Sequence, residues 1–348
     1  MMSNSTDDGL LNTTQLAGCV DDTLVPYVSQ IFTDDLDTGT RVLYAFAIAS
    51  ALINLVLYLV RVNRDRPPYE DPSLFKTNLV LVALPMIISI SSLCGVIVPR
   101  SLVLVGLVQN VYFSFCIARF LSIMVRLLGH RDQLVKKLSG TRMELGRAVP
   151  GFGICCAPCC ARPAFKSSHL IVLAYCIYQY CILQPLISFL AAVLYDNGNY
   201  IEGYVSKYDA YIYLKCLQVA SMLLAFYCVT LIRLMVEPIL TNYYVGRKFL
   251  VLKTAMLMLN LQSLLFGILA RADVIKCNMH FSKAAQSSYY LGFALIFEML
   301  PLCCFTVFLA YPFSDKLDRH TPVQRESVSE LSKSDVGAAT VQQDDDVV

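Results

Sequence analysis

The chain has 348 residues, of which 56% are apolar and only 16% are charged, and its mean hydropathy is +0.57. A soluble globular chain carries about 25% charged residues, so an ordinary cytosolic enzyme and a disordered chain are both excluded. The 28 Lys and Arg stand against 26 Asp and Glu. That balance leaves no basic surplus for phosphates, and no nucleic-acid partner is expected. The bulk of the molecule must sit in lipid.

Residues 1–41 form a polar, acidic N-tail. The first apolar run starts too late for a cleavable leader. Seven apolar runs follow: Val42–Val60, Asn78–Val98, Ser101–Leu127, Leu170–Leu194, Tyr211–Val236, Phe249–Ala270 and Tyr289–Ala310. Each is near the roughly 20 residues that cross about 30 Å of hydrocarbon. Helices are expected because lipid forces every backbone group to pair within its own segment, and the runs lack the period-two alternation of a barrel. The prediction is an all-α polytopic membrane protein with a seven-helix domain over 42–310. A Cys-rich loop fills 128–169, and the composition of residues 314–348 predicts a disordered tail.

Lys and Arg set the orientation. The first, third and fifth loops and the C-tail hold 17 of them, against 6 in the N-tail and the remaining loops. The positive-inside rule then puts the N-terminus outside and the C-terminus in the cytosol. The two N-x-[ST] sequons of the chain, at Asn4 and Asn12, lie in the tail so placed outside, as glycosylation would require. Cys19 and Cys277 would share that oxidising side, either as a disulfide tying the tail to the bundle or as two thiols.

The loop between the third and fourth runs carries Cys155-Cys156-Ala157-Pro158-Cys159-Cys160. A structural zinc site usually draws on two separated C-x-x-C knuckles, and only one is present. A redox C-x-x-C lacks its βαβ context. Juxtamembrane cysteines flanked by Arg147, Arg162 and Lys166 suit S-palmitoylation better, with acyl chains and basic residues meeting the inner leaflet and its anionic lipid. No metal or cofactor is expected.

Polar groups within the runs are informative because each is costly in hydrocarbon. Pro85 interrupts the second run. Asn110 lies midway along the third, beside Gln109. In the fourth, Tyr175, Tyr178 and Gln179 share a face and Gln184-Pro185 is expected to break the helix. In the sixth, Lys253, Met256, Asn260, Ser263 and Gly267 share a face at helical spacing, with Gln262 beside them, and should look into the bundle. In the seventh, Glu298 sits midway and cannot snorkel to either surface. Pro301, three residues on, leaves the Phe297 carbonyl without its helical partner. Pro85, Pro185 and Pro301 are therefore the expected kinks. Glu298, Gln262, Asn260, Lys253, Asn110, Tyr178 and Gln179 are the candidate solute pathway. Five Lys or Arg lie within the runs (Arg119, Arg126, Lys215, Arg233 and Lys253) against the single Glu298, a bias favouring an anionic, largely apolar solute.

No catalytic arrangement survives inspection, and an enzyme is not expected. His130, His169, His280 and His320 all fall outside the runs, and no Walker A, Gly-rich phosphate loop or G-x-S-x-G occurs.

Several stretches resemble the organic solute transporter alpha family. They are Phe226-Tyr227-Cys228, Gly246-Arg247-Lys248-Phe249 leading to Lys253, the mid-span Gln262, Ile296-Phe297-Glu298-Met299, and Ala310-Tyr311-Pro312-Phe313. The cysteine run resembles the cluster of that family's alpha subunits. The likeness covers Val42 to about Phe313. Asn260-Leu261-Gln262 departs from the Phe-Trp-Gln that many members carry. The resemblance implies a transporter of bile acids, conjugated steroids and related amphipathic anions by facilitated diffusion. It also implies a small single-span beta subunit as partner, at the plasma membrane. Two other classes compete. One is a non-transporting protein that organises membrane lipid or sterol. The other is a seven-pass receptor, which the missing Asp/Glu-Arg-Tyr and Asn-Pro-x-x-Tyr motifs and the short stretch of about 12 residues between the fifth and sixth runs disfavour.

If the cysteine run is acylated, replacing Cys155, Cys156, Cys159 and Cys160 with Ser abolishes incorporation of a clickable palmitate analogue and reduces surface delivery. Undiminished label would move lipidation elsewhere.

Overall fold

The computed structural model describes residues 38–64, 72–148, 163–197, 200, 210–240, 243–272, 274–275 and 283–310. Asn4, Asn12, Cys19, Cys277, Cys155, Cys156, Cys159, Cys160 and the 314–348 tail lie outside them. The described residues are almost wholly helical: α1 Thr38–Arg64, α2 Pro72–Val82, α3 Leu84–Ile97, α4 Leu102–Leu127, α5 His130–Leu138, α6 Ser167–Asp196, α7 Ala210–Val236, α8 Val245–Leu257, α9 Ser263–Arg271 and α10 Lys283–Phe305. A π-helical turn, Met258–Gln262, joins α8 to α9, and another, Thr306–Ala310, follows α10. Among the described residues six helices are long and apolar enough to cross a membrane, and the bent pair α2–α3 makes a seventh if it is counted as one span. The chain is an all-α polytopic membrane protein.

The first, fourth and fifth runs are shorter than the helices they seed, Thr38–Arg64, Ser167–Asp196 and Ala210–Val236, because residues at their ends extend the hydrogen-bonded ladder. α1 and α7 close on cations in their last turns, Arg61 and Arg64 in one and Arg233 in the other, where a cation meets the negative end of the helix dipole.

The prolines do not behave alike. At Pro85 the expected second span divides into α2 and α3, bent by 41° at Ala83. Backbone bonds from Ala83 to Leu79 (3.0 Å) and from Ile87 to Ala83 (2.9 Å) carry the chain round the bend. Gln184-Pro185, expected to break the fourth span, does not: α6 runs uninterrupted through it. α10 likewise continues past Pro301 to Phe305. One lost bond in a helix of 30 residues leaves enough of the ladder on either side to hold the rod. The sixth run departs from expectation the other way. It contains no proline, yet it is split by the Met258–Gln262 π turn.

α4 is the hub, touching α2, α3, α6, α7 and α8. Its Phe113 stacks on Phe226 of α7 at 6.0 Å between ring centroids. Phe226 and Phe120 each lie 6.0 Å from Phe249 of α8. Each such pair adds about 0.5–1.5 kcal/mol beyond the area it buries. α1, α3 and α10 form a second group around Tyr44, Val96, Tyr289 and Phe293. There Tyr289 Oη donates to Tyr44 Oη (2.7 Å), and Tyr44 Oη donates to the Val96 carbonyl (3.2 Å). Gly292 makes this seam close: a Cβ there would stand 2.7 Å from Val96 Cγ2.

After α4 the chain turns at Gly129, whose φ of 86° suits glycine. It then lays α5 under the bundle, with Leu134 and Leu138 buried one turn apart. A bridge between Arg142 and Ala164 brings the chain on either side of the cysteine run together, held by bonds from Met143 N to the Pro163 carbonyl (3.0 Å) and Phe165 N to the Thr141 carbonyl (2.9 Å).

Gly292→Ala overpacks the α3–α10 seam, at a cost of about 1–3 kcal/mol. Its detergent melting temperature falls below wild type, and adding Val96→Ala restores it. No change on Gly292→Ala would show the seam to be loose.

Candidate solute site

The elements that place Glu298 are α10 and the split sixth span. Met256 and Asn260 are buried, as the helical face predicts, and Ser263 and Gly267 are half-buried. Lys253 is exposed: the three-residue step to Met256 leaves it about 60° round the helix. Past Leu257 the π turn inserts an extra residue and rotates the helix beyond it, so a single α-helical wheel does not describe the whole run.

That rotation sets Gln262 against α10. Gln262 Nε2 donates to Glu298 Oε2, a short contact between two half-buried side chains. Gln262 Oε1 is buried with no hydrogen-bond partner among the described residues. Asn260, 9% exposed, donates from Nδ2 to the Met256 carbonyl in the preceding turn (3.1 Å). Its Oδ1 has no partner among the described residues. Two orphaned acceptors and a carboxylate therefore lie on or against one helical defect. Such a set can take hydrogen bonds from a hydroxyl or amide passing by, and holding them without partners is costly.

The other candidates are not brought to this point. Asn110 lies in the first half of α4, bonding the Gly106 carbonyl from Nδ2 (2.9 Å). Tyr175 and Tyr178, expected on an inward face, point outward from α6 and are 72% and 43% exposed; Gln179 is half-buried. The inward face of α6 is instead Leu173, Ile177, Tyr180, Gln184 and Ser188, offset by two residues. The neighbouring Gln109 is a clamp, donating to Ser91 Oγ (3.1 Å) and Ser92 Oγ (2.8 Å) of α3.

Of the intramembrane cations, Arg233 is ion-paired to Glu237 at 2.6 Å, one turn on, and lies 5.2 Å from the Phe249 ring centroid. Gly246 permits that pair to dock against α8, since a Cβ there would lie 2.5 Å from Glu237 Oε1. Arg119 covers the Phe115 ring at 4.5 Å. Lys248, in the Gly-Arg-Lys-Phe stretch, is buried and donates to Asn78 Oδ1 of α2 (3.4 Å).

Besides several serines and threonines, the polarity pattern misses three larger buried polar side chains: Asn54 in α1, Arg61 at its end, and Gln218 in α7. Asn54 is wholly buried, and neither amide atom has a partner among the described residues. A single Asn in an otherwise apolar run was the available signal. Among the described residues no group of three or more His, Cys, Asp or Glu is placed to hold a metal ion.

The comparisons with known proteins converge on one class. The family profile described as organic solute transporter Ostalpha matches residues 43–316, and the chain belongs to that family. Organic solute transporter subunit alpha of Leucoraja erinaceus is 24% identical over 269 residues, covering 76% of this chain and 73% of that protein. The Homo sapiens protein of the same name is 25% identical, covering 74% of each. A transmembrane protein 184 homolog from Dictyostelium discoideum is 22% identical over 78% of this chain and 51% of its own length. No solved structure matches the chain significantly.

Replacing Glu298 with Ala strands the Gln262 amide and lowers stability by about 1–3 kcal/mol. Glu298→Gln keeps an acceptor for it and melts at or above the wild-type temperature. Equal losses in the two variants would show that the charge, not the hydrogen bond, holds α9 to α10.

Proposed function

We propose that this chain is the alpha-type subunit of a heteromeric transporter that moves amphipathic organic anions, such as bile acids and conjugated steroids, down their gradients across the plasma membrane. The observation that carries the reading is the Gln262–Glu298 contact at a π turn within a member of the organic solute transporter alpha family. The relatives' designation as subunit alpha supports a second subunit, here a small single-span beta chain. The excess of cations within the spans supports an anionic solute. The charge count supports an N-terminus outside.

In this reading the Gln262–Glu298 contact is a latch between the sixth span and α10. A π turn on one side and Pro301 on the other have already removed regular backbone bonds. The two segments therefore shift against each other without unwinding a complete helix. A solute hydroxyl or amide takes the acceptors of Asn260 and Gln262 as the latch opens. Lys253, exposed along α8, meets the solute's anionic group from the lipid side. Asn110, Tyr178 and Gln179 belong to the pathway only in a state that turns α4 and α6 from their present packing.

Tracer uptake of a sulfated steroid into cells tests this, with and without a single-span beta subunit. Flux is expected only with the pair. Glu298→Gln is expected to reduce it at least tenfold at unchanged surface level. Normal flux in that variant would remove Glu298 from the site. Absent flux from the wild-type pair at the surface would favour a protein that organises lipid or sterol.

A further inference from the structure

A second polar cleft opens between α4, α6 and α7, on elements separate from the Glu298 latch. Its cavity volume is about 40 Å³, room for a group the size of a water or a hydroxyl, and it is open at its mouth. Asn110 of α4, Gln184 and Ser188 of α6 and Gln218 of α7 line it. Lys215 contributes to the same wall. The rings of Tyr200 and Tyr211, edge to face at 5.5 Å, line it as well.

Two side chains here point to a ligand. Gln184 is 1% exposed and Gln218 7%. Gln184 Nε2 reaches Ser188 Oγ at 3.5 Å, the outer limit of a hydrogen bond, while its Oε1 has no partner among the described residues. Gln218 Nε2 has none either. A buried amide oxygen and a buried amide nitrogen left unmade cost free energy. An apolar lining would have served a purely structural helix crossing better.

The unmet pair is one acceptor and one donor. A carboxylate or sulfate could satisfy only the donor, and an ammonium only the acceptor. A hydroxyl satisfies both, accepting from Gln218 Nε2 and donating to Gln184 Oε1. We propose that the α4/α6/α7 cleft is a subsite for the hydroxyl-bearing end of an amphipathic solute. The inference rests on the transporter reading for its solute class, but it concerns binding and is tested by binding.

The probes are tritiated estradiol 3-sulfate and estrone 3-sulfate. They differ only in carrying a hydroxyl or a carbonyl at the end remote from the sulfate. A carbonyl still accepts from Gln218 but leaves Gln184 Oε1 unpaired. Affinities are measured by scintillation proximity on the full chain purified in detergent, with its beta subunit. Wild type is expected to bind the hydroxyl form about tenfold more tightly. Gln184→Leu and the double variant Gln184→Leu/Gln218→Leu are expected to bind both forms alike. Leu replaces each amide at similar size with nothing left to satisfy, so these variants fold. A retained preference in the variants overturns the subsite. Equal binding of the two steroids by wild type also overturns it, leaving a water pocket. So does failure of wild type to bind either. Flux is a separate readout: binding discrimination without flux keeps the subsite while removing the transporter reading, and flux without discrimination does the reverse.

Discussion

A carboxylate in the middle of a hydrocarbon layer has to be answered by its neighbours, because neither water nor lipid can do it. Glu298 is answered by Gln262. Gln262 is in position because the sixth span does not run as one regular helix. An uninterrupted α-helix advances about 100° per residue, so one inserted residue changes which side chains face α10. Without the π turn, either Gln262 faces α10 and Met256 and Asn260 turn away from the core, or the reverse. With it, all three are buried or half-buried together. The defect and the acid explain each other.

The rest of the bundle obeys the same constraint with gentler chemistry. Helices in lipid gain little by merely hiding apolar surface from one another, so close backbone approach and inter-helix hydrogen bonds must specify the packing. At the α1–α3–α10 seam, Gly292 supplies the approach and the Tyr289–Tyr44–Val96 chain supplies the bonds. Ser50 adds a bond to the Ile296 carbonyl (3.2 Å), two residues before Glu298. Between α3 and α4, Gln109 grips two serines. Each joint is anchored by a polar side chain that a hydropathy plot counts only as a dip.

The span pattern was legible because lipid imposes a length and a composition on every crossing: the described residues hold six helices long and apolar enough to cross, and the bent pair α2–α3 besides. Glu298 and Gln262 were legible for a related reason, since a polar group in a long apolar run stands out by type alone. What was not legible was direction. Tyr178 looks inward on a wheel drawn from polarity, yet tyrosine is amphipathic and serves equally well against lipid; the true inner face follows Gln184 and Ser188. Lys253 shows the same ambiguity, because its stem is apolar whichever way its charge points. Proline misled in the opposite sense. Its local chemistry is readable, but whether one missing bond bends a helix depends on packing: Pro85 stands at a bend and Pro185 within an uninterrupted helix. The π turn left no mark at all, because no residue type is reserved for it.

These features divide the bundle mechanically. The aromatic chain Phe113–Phe226–Phe249–Phe120 ties α4, α7 and α8 into a block from which no helix can leave without parting two ring pairs. The breaks fall elsewhere: the bend at Ala83, the π turn before α9 and the π turn after α10. A helix yields first where its own bonds are already missing. Motion is therefore cheapest in α9, α10 and the α2–α3 elbow, moving against a fixed aromatic block. Glu298 and Gln262 sit at the boundary between the two parts. The α4/α6/α7 cleft has two of its three walls in the block, which suits it to hold one end of a solute still while the other end meets the part that moves.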